Sequence, residues 1–298
     1  MDNKKIKIGV VGAFQRGKST LVNCLLDGKV ARTGGMGVST TSVTTCYTYG
    51  EFQSVSYYSG GRLVRQSSID DFVKEENTSK GIDEIVVTLW KPILKNVDIV
   101  DTPGFDANEK DTKMASDALK DLDFVIFLVI NKALGEPEQK VLQQILDRKL
   151  PFTVIMNCKC PPEIPLSPDP EAEPNKAITK TIESQIKNSG ALPLRINNTD
   201  VWMCNLRWFW YACGGYLKDN SDQITITNMQ IEQHFKVLLK QQIDNKVIAD
   251  KSKFIAFRNL LLDSDWSNTP LHFIRWNSLL SQTFNDWENK LKKITNKL

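Results

Sequence analysis

Residues 12–20 read Gly-Ala-Phe-Gln-Arg-Gly-Lys-Ser-Thr, with an apolar run before them (Ile6 to Val11) and another after them (Leu21 to Leu26). This is G-x-x-x-x-G-K-S in the setting it requires, a strand that enters a turn and a turn that opens a helix. Gly12 and Gly17 let the backbone wrap tightly, so that its N–H groups converge on phosphate oxygens. Lys18 sets a fixed positive charge at the β- and γ-phosphates. Ser19 offers a hydroxyl to magnesium, and the helix that begins here turns its positive end toward the anion. The phosphate-binding set read from this loop is Gly12, Gln15, Arg16, Gly17, Lys18, Ser19 and Thr20. A chance Gly-rich turn accounts poorly for strand, turn and helix arriving together.

The loop implies a nucleoside triphosphate; the rest of the chain decides what happens to it. Asp101-Thr102-Pro103-Gly104 follows a second apolar strand, Val97 to Val100. An Asp at such a strand end can hold magnesium through water. The Gly supplies a backbone N–H that meets a γ-phosphate and loses it after hydrolysis. Asp-x-x-Gly alone is a common turn. Beside a phosphate loop it gains weight, because the two strands must be neighbours to share one metal. Between the motifs lies Gly34-Gly35-Met36-Gly37-Val38-Ser39-Thr40-Thr41-Ser42, the composition of a mobile switch. Such a switch carries one hydroxyl that reaches magnesium only when the γ-phosphate is present. Thr41 is the first choice for that hydroxyl and Thr40 the second. Thr44 and Thr45 read instead as the start of a β-strand.

These motifs resemble the GTPase superfamily and, within its TRAFAC class, the dynamin-like proteins. The resemblance rests on Lys18-Ser19-Thr20-Leu21-Val22-Asn23, on Ser39-Thr40-Thr41-Ser42-Val43 with Tyr49-Gly50 after it, and on Asp101-Thr102-Pro103-Gly104-Phe105. It covers roughly residues 5–215. Ser39 stands where the dynamin-like pattern usually has Pro. The resemblance implies an α/β P-loop GTPase domain with a central, mostly parallel β-sheet over residues 1–215. Its ligands would be GTP and GDP, its metal Mg2+ on Ser19, Thr41 and Asp101, and its activity hydrolysis of GTP. It also implies a nucleotide-dependent homodimer.

Recognition of the base departs from the family. The family follows its fifth strand with Asn-Lys-x-Asp or Thr-Lys-x-Asp, whose Asp accepts two hydrogen bonds that only guanine donates. Here the matching strand, Phe152 to Met156, is followed by Asn157-Cys158-Lys159-Cys160. The Asn is in place, the Lys is displaced by one, and a thiol cannot replace a carboxylate as a charged double acceptor. Either Glu163 or Asp169 substitutes, or guanine specificity is relaxed. The base-binding residues are read as Asn157, Lys159 and Asn205, the last ending the strand Val201 to Cys204; a strand-end turn residue is the plain alternative for Asn205. Asn131-Lys132-Ala133-Leu134 has a similar look but ends the previous strand, and reads as a decoy.

Catalysis has a gap as well. Phe105 stands directly after Asp-x-x-Gly, where Ras-like proteins keep a Gln that orients the attacking water. The substitutes are Gln15 and Arg16 in the loop, a monovalent cation, or a second molecule docked across the nucleotide. The catalytic set is therefore Arg16, Gln15, Thr41 and Gly104, with Arg16 an arginine finger in cis. A solvated charge at the loop tip is the alternative for Arg16.

Strands and helical segments alternate as far as about Gly215, the pattern of a parallel α/β sheet. Tyr57-Tyr58-Ser59-Gly60-Gly61-Arg62 predicts a hairpin tip between the second and third strands. Six prolines among the 15 residues from Cys160 to Pro174 predict a rigid or disordered loop beside the base pocket. Six cysteines are scattered, mostly in apolar strands, and read as small hydrophobes rather than as a zinc site. His234 and His272 fall in helical patterns and read as structural.

Residues 216–298 form a helical extension or bundle, with apolar residues at 273, 276, 280, 284, 287, 291, 294 and 298 in steps of three and four. Trp276, Trp287 and Leu291 are expected to pack on the α/β domain or on a paired helix. This region holds 12 Lys and Arg against 9 Asp and Glu, so the chain's whole net charge of +3 resides there. That is too small to argue for nucleic acid. Membrane contact through Lys290, Lys292, Lys293 and Lys297 is not favoured, and no run reaches the ~20 apolar residues of a membrane helix. The chain starts without a signal peptide and has no room for a long stalk, so it reads as cytoplasmic, passing its nucleotide state to a protein effector through residues 216–298. Two alternatives stand beside hydrolysis of GTP: a nucleotide-binding module with little turnover, and an ATPase or nucleotide-promiscuous enzyme.

Overall fold

The computed structural model describes residues 5–33, 43–75, 81–105, 109–159, 169–196, 198–206, 209–210, 253–254 and 257. They form one nine-stranded sheet with helices on both faces. The strands are β1 (Ile6–Val11), β2 (Thr44–Tyr49), β3 (Ser54–Ser59), β4 (Arg62–Ser67), β5 (Glu84–Leu89), β6 (Val97–Asp101), β7 (Phe124–Ile130), β8 (Phe152–Asn157) and β9 (Val201–Cys204). The helices are α1 (Lys18–Leu26), α2 (Ile69–Lys74), α3 (Glu109–Ala118), α4 (Glu136–Asp147) and α5 (Glu173–Asn188).

Strand order across the sheet is β4-β3-β5-β2-β6-β1-β7-β8-β9. The half from β6 to β9 is wholly parallel. β7 reads Phe-Val-Ile-Phe-Leu-Val-Ile, nearly all of it buried, as a strand covered on both faces must be. The direction reverses at β2, which runs antiparallel to β6 and parallel to β5. Thr44 and Thr45 open β2, as their β-propensity predicts. The hairpin around Gly60-Gly61 joins the third and fourth strands rather than the second and third. Both glycines take positive φ, 55° and 73°, which a two-residue hairpin turn requires. Sequence alternation does not reveal that β5 inserts between β2 and β3 and so separates two strands adjacent in the chain.

The core lies in two apolar layers. One packs α1 (Leu21, Val22, Leu25) on β1, β2 and β5, and it includes Phe209, Phe254 and Phe257. The other packs α3, α4 and α5 on the opposite face through Ala115, Val141, Ile145, Ile182 and Ile186. The described part of the C-terminal extension thus closes on the sheet. Trp202 Nε1 donates to Lys253 O at 2.9 Å, and Phe254 packs against Phe209, the rings tilted at 58° with centroids 4.7 Å apart. Residues 216–252 and 258–298, with Trp276, Trp287 and Leu291, lie outside the described residues. Among the described residues no helix is long and apolar enough to cross a membrane.

Candidate nucleotide site

β1 delivers the chain into the loop of residues 12–17, and α1 begins at Lys18. Gly17 is the N-cap of α1 with φ +97°, a conformation that costs Gly little and other residues more. Gly12 is needed for a different reason: a Cβ there would stand 2.4 Å from the Leu128 carbonyl oxygen of β7. Lys18 is buried, and its Nζ donates to Gly12 O at 3.2 Å and Ala13 O at 3.0 Å, so the loop encircles its own cation. Ser19 Oγ donates to Asp101 Oδ2 at 2.7 Å, and both residues are buried. The metal motifs of two adjacent strands therefore meet in one place. Their donor set is a hydroxyl and a carboxylate, all oxygen, which suits a small hard dication that keeps several waters. Thr20 lies in the first turn of α1. Thr40 and Thr41, with the rest of residues 34–42, lie outside the described residues.

The chain before that segment is firmly tied. Asn23 of α1 is buried; its Oδ1 accepts from Val30 N and Ala31 N, and its Nδ2 donates to Ala31 O. Arg32 lies 4.6 Å over the Phe72 ring and donates to Glu75 O at 3.1 Å. Neither contact was visible in the local sequence.

Gly104 lies against the loop. A Cβ there would stand 2.8 Å from Phe14 Cα and 3.3 Å from Lys18 Nζ. Phe105, which follows, is buried in the apolar layer with Val11, Val100, Ala115 and Leu119. Its carbonyl accepts from Phe14 N at 2.9 Å and its N–H donates to Gly12 O at 3.4 Å. The backbone of Phe105 thus braces the phosphate loop while its ring fills the core.

The residues read as base-binding lie at the ends of β8 and β9. Asn157 is buried; its Nδ2 donates to Arg16 O at 3.1 Å and its Oδ1 accepts from Leu206 N at 3.3 Å. Lys159 Nζ donates to Gln15 O at 2.8 Å, so its displacement by one residue still brings it to the phosphate loop. Asn205 Nδ2 donates to Cys158 O at 3.1 Å and joins the two strand ends. Gln15 adopts φ +58°, and its carbonyl and that of Arg16 are the two that Lys159 and Asn157 hold. Asp169 Oδ1 accepts from Glu171 N at 2.9 Å, in a turn before α5. Cys160 and Glu163 lie outside the described residues.

The sequence profile of the dynamin family matches residues 8–160, about half of the chain. The chain belongs to the dynamin family. Dynamin-like protein 2 of Campylobacter jejuni is 27% identical over 147 residues, which is 49% of this chain and 24% of the relative. GTPase Era of Lactobacillus delbrueckii is 33% identical over 128 residues, 42% of this chain and 38% of that protein. This dynamin-family chain therefore spans well under half the length of either curated relative. A solved oligomerised bacterial dynamin pair, described as sensing and tethering membranes, matches 86% of this chain and 37% of that one, at 19% identity and a TM-score of 0.48.

Two features of this dynamin-family site escape a reading by motif. Asn131 is buried, its Oδ1 accepting from Lys159 N at 3.1 Å and its Nδ2 donating to Asn175 Oδ1 at 3.0 Å. It orders the loop that carries Lys159. Glu138 of α4 receives Arg16 Nε at 2.7 Å, and Arg16 Nη2 reaches the same oxygen. Arg16 is therefore not a solvated charge: its side chain is 19% exposed and that of Glu138 6%. Of the described thiols, Cys24, Cys158 and Cys204 are buried and Cys46 is half-buried. Burial pushes Cys204 well up and Cys46 up to about 12, so both stay protonated.

Asn157→Ala should uncouple the two halves of this site. It removes one partly buried donor to Arg16 O and one buried acceptor for Leu206 N, with about 1–3 kcal/mol lost for the buried orphaned group and less for the other. Denaturant melts of the nucleotide-free protein should show a lowered midpoint with the same slope. An unshifted midpoint would remove Asn157 from its structural role.

Proposed function

We propose that this chain binds GTP and hydrolyses it to GDP and phosphate with magnesium, slowly alone and faster when two copies meet across the nucleotide. The observation that carries the reading is the convergence of buried Lys18, Ser19 and Asp101 at one loop mouth, with Gly104 against Lys18. The dynamin-family match and the similarity to GTPase Era support it.

In this reading the loop N–H groups and Lys18 hold the β- and γ-phosphates. Ser19, Asp101 and Thr41 would hold magnesium, whose charge would offset that developing on the phosphoryl oxygens. Asn157, Lys159 and Asn205 shape the base side. Arg16, Gln15, Thr41 and Gly104 serve the reaction, with a monovalent cation as a further source of charge. Residues 1–215 form the nucleotide domain. Residues 216–298 form a cytoplasmic helical extension that passes the state to an effector protein, without nucleic acid and without a favoured membrane contact.

The metal set has its own test. Ser19→Ala and Asp101→Ala should weaken GTP binding with magnesium far more than without it. Thr41→Ala should slow hydrolysis and leave GDP affinity nearly intact, because the switch hydroxyl meets the metal only in the triphosphate state. Titrations with labelled GTP and GDP, with magnesium and with chelator, read both. A silent Thr41→Ala beside an impaired Thr40→Ala would move the role to Thr40. Equal losses with and without magnesium in the Ser19 and Asp101 variants would remove the metal assignment.

A second reading, a module that binds nucleotide with little turnover, draws support from Phe105, whose ring is spent on the core. Phosphate release at high protein concentration separates the two.

A further inference from the structure

The anchor of Arg16 carries an inference of its own. Glu138 is the third residue of α4, and its other oxygen, Oε2, accepts from the N–H of Gly135, the N-cap, at 3.2 Å. The carboxylate thus lies at the positive end of its own helix. Its partner is a different kind of group. Arg16 sits at a loop tip on a long unbranched side chain, while its backbone carbonyl is held separately by Asn157. Of the two, the anion is the fixed member and the guanidinium the movable one.

The ion pair also decides what Arg16 can do at rest. Nε and Nη2, the two donors that would grip a phosphate oxygen pair, are both on Glu138 Oε1. A guanidinium so engaged has its charge offset by a carboxylate that is nine-tenths buried. If it leaves, Glu138 keeps the Gly135 N–H and the field of the helix N-terminus, so the departure does not strand a bare buried charge. Two anions then compete for one cation, the Glu138 carboxylate and the triphosphate.

We propose that Glu138 is a positioning residue that latches Arg16 away from the reaction in the resting monomer, and that closure across the nucleotide releases it. The proposal rests on the reading of Arg16 as a group serving hydrolysis. It accounts for slow turnover alone: the competent state is one in which the latch is open, and its population scales the rate.

Glu138→Gln tests this, since it removes the charge and keeps one acceptor in place. Steady-state phosphate release from GTP should rise about three- to tenfold at low protein concentration, through kcat with KM nearly unchanged. The dependence of specific activity on protein concentration should flatten, and the gain should vanish in Arg16→Ala/Glu138→Gln. A fall in turnover like that of Arg16→Ala, or a gain that persists without Arg16, would overturn the latch. Affinity for a β,γ-imido GTP analogue relative to GDP is measured in parallel. Glu138→Gln should raise that preference by a similar factor, only when Arg16 is present; an unchanged preference would overturn the latch. This arm stands even if the wild type releases no phosphate at any concentration, the outcome that would refute hydrolysis itself. If Glu138→Gln fails to fold, Glu138→Asp, which withdraws the carboxylate by one methylene, should show the same signs.

Discussion

Lys18→Ala should abolish tight triphosphate binding while the fold survives. Lys18 is the cation at the centre of the loop, and its Nζ donates to backbone carbonyls that the loop itself presents, Gly12 O and Ala13 O. Truncating one member of a buried charged contact typically costs about 2–5 kcal/mol, or roughly 30-fold to several-thousand-fold in affinity. The same substitution removes no apolar packing from α1, whose core side chains are Leu21, Val22, Leu25 and Leu26. The melting temperature without nucleotide should stay near that of the wild type, and the rise that GTP confers on the wild type should disappear. Thermal melts with and without GTP and magnesium read both quantities. Undiminished stabilisation of the variant by GTP would remove the phosphate-loop assignment.

Arg16→Ala should slow hydrolysis by a factor large against its effect on binding. An arginine finger in this class of reaction contributes roughly 10³–10⁵ in rate. With Phe105 buried in the core, the described residues offer no side chain after Asp-x-x-Gly to orient water. The wild type should show specific activity that rises with protein concentration, and Arg16→Ala should show a low, flat profile with GTP affinity close to wild type. Losing Arg16 also leaves the Glu138 carboxylate with the Gly135 N–H as its partner among the described residues, so the variant's melt must be checked beside its rate. A wild type whose specific activity is constant over a wide concentration range, with a neutral Arg16→Ala, would leave a monomeric switch that awaits an external activator.

The parts of this site that were legible in sequence are those held by neighbours in the chain. Gly12, Gly17, Lys18 and Ser19 lie within one turn and its helix, and their spacing dictates their geometry. Asp101 was legible because it ends an apolar strand, and Asp101 Oδ2 indeed lies 2.7 Å from Ser19 Oγ. The mostly parallel sheet followed from alternating strands and helices. What stayed hidden depends on distant pairs. Glu138 is one acidic residue in the first turn of an amphipathic helix, 122 positions from Arg16, and nothing local distinguishes it from a helix-capping Glu. Asn131 looked like a misplaced base reader because its real partners, Lys159 N and Asn175, lie 28 and 44 residues away. The displaced Lys159 seemed a defect by spacing alone; a loop absorbs one residue of slip, since a Lys side chain is long and its target, Gln15 O, faces it. The hairpin tip is legible from Gly60-Gly61, but it joins β3 and β4, one strand later than the sequence reading places it.

We propose that this loop binds and turns over GTP, and a guanine-selective site would favour GTP over ATP. Phosphate release from GTP and from ATP, each with magnesium and at several protein concentrations, tests it most directly. Release from GTP should exceed release from ATP and accelerate as protein concentration rises. Equal release from both nucleotides, or no release from GTP at any concentration, would contradict it.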